Sequence, residues 1–182
     1  MAGKLVQVDT FTVSSAVASV TLGGGSSGSS GLNASINTDD VYMVVWNNVQ
    51  ISGAVDSLYI RVTKSGTPDT TANYDRAGKQ LRADTTFGNL AGTNETWYIT
   101  GIGSDVATNR LSNGIMYLYN FNSNSEYSFG TIETSHRDEA GNHRGLQGGF
   151  VHTVQSSSDG LWFNFNSGNI ASGSQFTLYK VL

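Results

Sequence analysis

Short runs in which apolar and polar side chains alternate, each closed by Gly, Ser, Asn or Asp, recur along this sequence. A period of two puts successive side chains on opposite faces, so such runs are strands with one face inward and one outward. The clearest is 58–63, where Leu58, Ile60 and Val62 alternate with Tyr59, Arg61 and Thr63. Comparable signals over 5–13, 17–22, 97–100, 114–121, 127–133, 150–154, 161–165 and 176–182 predict about ten strands. The run 41–46, Val-Tyr-Met-Val-Val-Trp, is apolar on both faces and predicts a central strand covered on both sides. No segment carries three turns of amphipathic helix. The expected class is all-β with little helix, an antiparallel, jelly-roll-like β-sandwich, and 182 residues suit a single sandwich domain over 1–182. No repeat of fixed period points to a propeller or a solenoid.

The connections are uneven. Asn122-Ser123-Asn124-Ser125 is a hairpin signal, and 14–16 is short enough to turn the first strand into the second. Residues 23–31, all Gly and Ser, predict a flexible exposed loop, and 135–149 reads as a charged loop. Residues 65–95 lose strand periodicity and hold the only proline, Pro68, with the mixed charges Asp75, Arg76, Lys79, Arg82 and Asp84. Thirty residues are long for a bare connection. The segment predicts either a polar interface or a short helix over 71–79.

Composition excludes several classes. Charged residues are 13% against a usual value of about 25%, and Gly, Ser, Thr and Asn make up 79 of 182 residues. A hydrophobic fraction of 38% with 10% aromatics still supports a folded core. Without cysteine there is no disulfide framework and no thiolate chemistry, which fits assembly in a reducing cytoplasm. No run approaches the roughly 20 apolar residues of a membrane span, and the start does not read as a signal peptide. A net charge of -4 gives no electrostatic case for nucleic acid.

No catalytic constellation emerges. Gly24-Gly25-Ser26-Ser27-Gly28 matches a nucleophile-elbow pattern but sits in Gly/Ser sequence, without the strand and helix that motif requires. His136 and His143, with Asp138 and Glu139, form the densest polar cluster, at a spacing that fits no standard metal site, and Arg137 and Arg144 would repel a cation. His152 reads as a packed or edge histidine, Asp39 and Asp40 as turn residues. Neither a cofactor nor a metal is expected. The surplus of aromatic side chains on strands, with the basic run of 65–95, points to contact. The candidate interface residues are Tyr42, Val44, Trp46, Tyr59, Tyr74, Arg76, Lys79, Arg82, Trp97 and Trp162.

The stretches 12–22, 40–45, 58–63, 70–79 (Thr-Thr-Ala-Asn-Tyr-Asp-Arg-Ala-Gly-Lys) and 172–179 (Ser-Gly-Ser-Gln-Phe-Thr-Leu-Tyr) together cover much of the chain. They resemble small virion structural proteins of tailed bacteriophages, particularly phages of marine cyanobacteria. Residues 23–31 look like an insertion relative to that pattern. The resemblance implies a jelly-roll-like sandwich that self-associates, as a trimer, on the outside of a capsid or on tail appendages. It implies a virion protein assembled in the bacterial cytoplasm, with the major capsid protein or neighbouring virion proteins as partners. A capsid decoration protein is the leading expectation, because the chain lacks the heptads that commonly trimerise a fibre. A tail-fibre or receptor-binding module contacting host glycans, and a free carbohydrate-binding domain, are the alternatives.

Overall fold

A computed structural model describes residues 3–24, 41–53, 55–100 and 110–182. These residues contain fifteen strands and no helix. In chain order they are β1 (Leu5–Thr12), β2 (Ser19–Gly23), β3 (Val41–Val49), β4 (Ile51–Ser52), β5 (Leu58–Lys64), β6 (Thr67–Pro68), β7 (Tyr74–Arg82) and β8 (Gly88–Glu95). Then come β9 (Tyr98–Ile99), β10 (Ser112–Tyr119), β11 (Ser128–Arg137), β12 (His143–His152), β13 (Gly160–Phe165), β14 (Asn169–Ile170) and β15 (Gln175–Val181). Four are two-residue bridges, and the longer ones build the all-β sandwich that alternation predicts. No helix long and apolar enough to cross a membrane occurs among the described residues.

An eight-stranded antiparallel sheet runs β1-β15-β3-β10-β11-β12-β7-β8, and a five-stranded one runs β2-β13-β5-β6 with β9 beside β5. Their inner faces share one hydrophobic cluster. Trp46 of β3 meets Phe163 of β13 at 6.5 Å between ring centroids, and Phe163 meets Phe176 of β15 at 4.9 Å. At the other end Tyr98 of β9 packs on Phe150 of β12 at 4.7 Å. The strand 41–46 is central, as expected: β15 flanks it on one side and β10 on the other.

Three expectations about the connections need correction. Residues 65–95 hold no helix: most of the segment is β6, β7 and β8, and β7 and β8 pair at one end of the large sheet. Of their inward positions, Arg76, Gly78, Gln80 and Gly88 carry no apolar side chain and only Tyr74 and Leu90 reach the core cluster, which is why the periodicity is invisible in sequence. Residues 135–149 are mostly strand as well, with only a tight turn over 138–142 between β11 and β12. The segment 14–16 does not close a hairpin either, since β1 joins the large sheet and β2 the small one, and the chain crosses between layers there. The Gly/Ser tract from 25 onward, with Asp39 and Asp40, lies outside the described residues.

Glycine has a packing role inside this sandwich. A Cβ on Gly114 would sit 2.1 Å from the Trp46 ring, and one on Gly130 would sit 2.2 Å from the Phe150 ring. Each ring lies flat over the glycine opposite it, so large side chains fill the core where neighbouring strands carry none.

Candidate functional site

The ten sequence candidates divide by burial. Tyr42, Val44, Trp46 and Tyr74 lie at 0–1% exposure in the protein's own core and are closed to a partner. Inward alternation on β3 and β7 puts them there. Arg76, Lys79 and Arg82 do not form one basic patch. Arg76 and Arg82 fall on one face of β7 and Lys79 on the other. Arg76 pairs with Glu95 at 3.3 Å, Lys79 donates to the Asn89 side-chain oxygen at 2.5 Å, and Arg82 donates to Gln80 Oε1 at 2.6 Å. Tyr59, Trp97 and Trp162 are brought together, on the outer face of the small sheet.

That cluster has a fourth member that sequence reasoning passed over. β13 sets Trp162 directly opposite Arg61 of β5, both pointing outward. The Arg61 guanidinium carbon lies 5.0 Å from the Trp162 ring centroid and 5.6 Å from that of Trp97, so two indoles flank one cation. Tyr59 meets Trp97 edge-on at 4.9 Å and 69°. Arg61 Nε donates to the Thr96 carbonyl at 2.9 Å, which fixes the plane of the fork. Burial among the rings lowers the proton affinity of Arg61. The pairing of positions 61 and 162 follows only from strand register, 101 residues apart, and no local pattern announces it.

The outer face of the large sheet is of another kind. One rank across the strands reads Tyr179, Met43, Tyr117, Thr131, Gly149, Ala77 and Ala91. A second reads Val41, Tyr119, Phe129, Val151 and Asp75, and a third Thr177, Val45, Ile115, Glu133, Gln147 and Lys79. Phe129 is 44% exposed and Tyr119 37%. Three charges stand on these ranks, Asp75 and Lys79 on β7 and Glu133 at the middle of β11, where Gln147 Nε2 donates to it at 3.0 Å. Two shallow depressions meet at Thr131. One, of about 450 Å³, is lined by Ala77, Phe129, Gly149 and Val151, and the other, of about 480 Å³, by Ile115, Tyr117, Glu133 and Gln147.

The histidines take structural places. His136 is buried on β11, and His143 is an outward residue within hydrogen-bond distance of Ser135 Oγ, at 3.0 Å. Arg144 binds Asp138 at 2.8 Å and also Asp84, and through Arg144 the turn is tied to the end of β7. Asp84 is held below the usual carboxylate range by Arg144. No group of three or more His, Asp or Glu arranged to hold a metal occurs among the described residues.

His152 is fully buried at the end of β12, and the fold supplies the partner its sequence context lacks. Its Nε2 lies 3.0 Å from Asp69 Oδ2, which also binds Lys64 Nζ at 2.8 Å. The Tyr74 hydroxyl donates to the Asp69 carbonyl at 3.0 Å and accepts from Val62 N–H at 3.1 Å, joining the two sheets. Burial alone would raise the Asp69 carboxyl, but Lys64, Thr71 and His152 outweigh it and hold it well below its ordinary value. Burial pushes the His152 imidazole down, against the opposing pull of Asp69. His152 is closed to solvent and the Asp69 side chain nearly so, and the pair clamps the end of the sandwich.

No family model matches this sequence, and no curated protein or solved structure is significantly similar to it.

Proposed function

We propose that this chain is a non-enzymatic structural protein of a virion, a capsid decoration protein that docks on the shell through the outer face of its large sheet and self-associates there. The observation that carries the reading is that face: seven adjacent strands from β15 to β8 offer mainly aliphatic, aromatic and small positions, with three charges, Asp75, Lys79 and Glu133, along the ranks described. Seven strands at a spacing of about 4.8 Å span roughly 30 Å. That is the scale of a patch burying about 800 Å² per partner. Interface cores share this composition, enriched in Tyr, Phe and Met and depleted of charge. A protein that binds only assembled shells stabilises them by mass action, without chemistry. The trimer and the bacteriophage setting come from the sequence resemblance.

Co-sedimentation with capsids tests the proposal. The wild-type protein is expected to pellet with shells and raise their melting temperature. The double variant Tyr119→Asp/Phe129→Asp, with its own melting temperature preserved, is expected to stay in the supernatant. Undiminished pelleting of that variant, or no pelleting of the wild type, would overturn the assignment.

A further inference from the structure

The Trp97–Arg61–Trp162 cluster lies on the sheet opposite the proposed docking face and has no part in it. Its guanidinium is set apart from other described arginines by the two indoles against it. Arg76 meets Glu95, Arg144 meets Asp84 and Asp138, Arg82 meets Gln80, and Arg137 donates to the Gly141 carbonyl at 2.7 Å. Arg61 spends Nε on the Thr96 carbonyl, and among the described residues no carboxylate pairs with it. Its two terminal amino groups are not among the buried polar atoms and make no hydrogen bond to the described residues, so the open side of the fork reaches solvent.

An arginine packed against two indoles and tied through Nε to the Thr96 carbonyl has already lost much of the rotamer freedom that a flexible cation would lose on binding. Its free edge presents paired N–H donors at the spacing of a carboxylate's two oxygens. Around it, half-buried Trp162, Trp97 and Tyr59 present aromatic surface, whose electron-rich faces attract the C–H edges of a pyranose ring. One fixed cation inside an aromatic border suits a sugar bearing one carboxylate per ring. A dense polyanion is a poor fit, because a net charge of -4 provides no attractive long-range field for it.

We infer that the outer face of the small sheet is a binding site for acidic saccharides, with Arg61 receiving the carboxylate of a uronic acid residue and Trp162 and Trp97 flanking its ring. The inference deepens the glycan-contact alternative and is independent of capsid docking, because its test uses the isolated protein.

Isothermal titration with oligogalacturonate is the test, with methyl-esterified oligogalacturonate as the probe that keeps the sugar and removes its charge. Binding of the acid form is expected, with at least a tenfold loss on esterification. Arg61→Gln is expected to weaken binding at least tenfold, Arg61→Lys by less, and Trp162→Ala by several-fold, with melting temperatures close to wild type. Equal binding of the ester would overturn the proposal, and so would undiminished binding by a folded Arg61→Gln variant or no binding of the acid form. The ester comparison needs no variant, so a variant that fails to fold leaves the test intact.

Discussion

The two outer faces of this sandwich obey one alternation rule and carry opposite chemistry. On the large sheet the outward positions form broad ranks of mainly small, aliphatic and aromatic side chains, with Asp75, Lys79 and Glu133 spread among them. On the small sheet they converge on one guanidinium between two indoles. Alternation dictates only that some side chains point outward; their identity decides between extended contact and local recognition. The first face suits a protein surface that repeats over an assembly, the second a ligand with one charge and a ring.

Substitutions can break or sharpen this contrast, beginning with the core that both faces share. Trp46→Ala removes a fully buried ring in contact with Phe163 and is expected to cost about 3–5 kcal/mol in chemical denaturation. Trp162→Ala, on the outer face, is expected to cost under about 1 kcal/mol. Similar losses for the two would mean that the small sheet's outer face is a second core. Gly114→Val is the next largest, because its side chain would enter the space of the Trp46 ring. Overpacking of this kind costs about 1–3 kcal/mol, read as a lower denaturation midpoint at unchanged slope.

Acid acts on the clamp between the sheets. Because burial lowers the His152 pKa, the unfolded chain takes up that proton first. Stability from His152 is therefore full above about pH 6.5 and falls as pH drops, by at most about 1.4 kcal/mol per pH unit. Asp69 acts lower: its depressed carboxyl contributes stability above about pH 3.9 that is lost as pH falls through the folded-state pKa. Melting curves from pH 7.5 to 5 should show the first slope, and His152→Phe should flatten it; an unchanged slope would assign the proton uptake elsewhere. Lys79→Ala should have the smallest effect, under about 0.5 kcal/mol, since its bond to Asn89 is exposed. If it also leaves shell binding intact, the margin of the large face contributes little.

How much of this was legible in sequence follows from what fills the inward positions. β5 and β13 announce themselves because Leu58, Ile60, Val62, Leu161, Phe163 and Phe165 are apolar at every second residue. β7 and the first part of β12 stay hidden because Gly78, Gln80, Arg144 and Gly148 occupy inward positions there, while Phe150, in the predicted run 150–154, marks the end of β12. Sequence marks the aromatic candidates only as a class: strand parity sends Trp46 and Tyr42 to the core and Trp162 outward, and Trp97 joins Trp162 from the turn before β9. Arg61 and the Asp69–His152 pair needed long-range register, which no single segment encodes.

Copy number on purified virions tests the central claim most directly. Quantitative mass spectrometry of intact particles, with an image of particles labelled for this protein, counts and locates it in one experiment. Copies on the order of hundreds are expected, spread over the shell, with the large sheet turned toward the capsid. A handful of copies confined to the tail, or none on the particle, would contradict it.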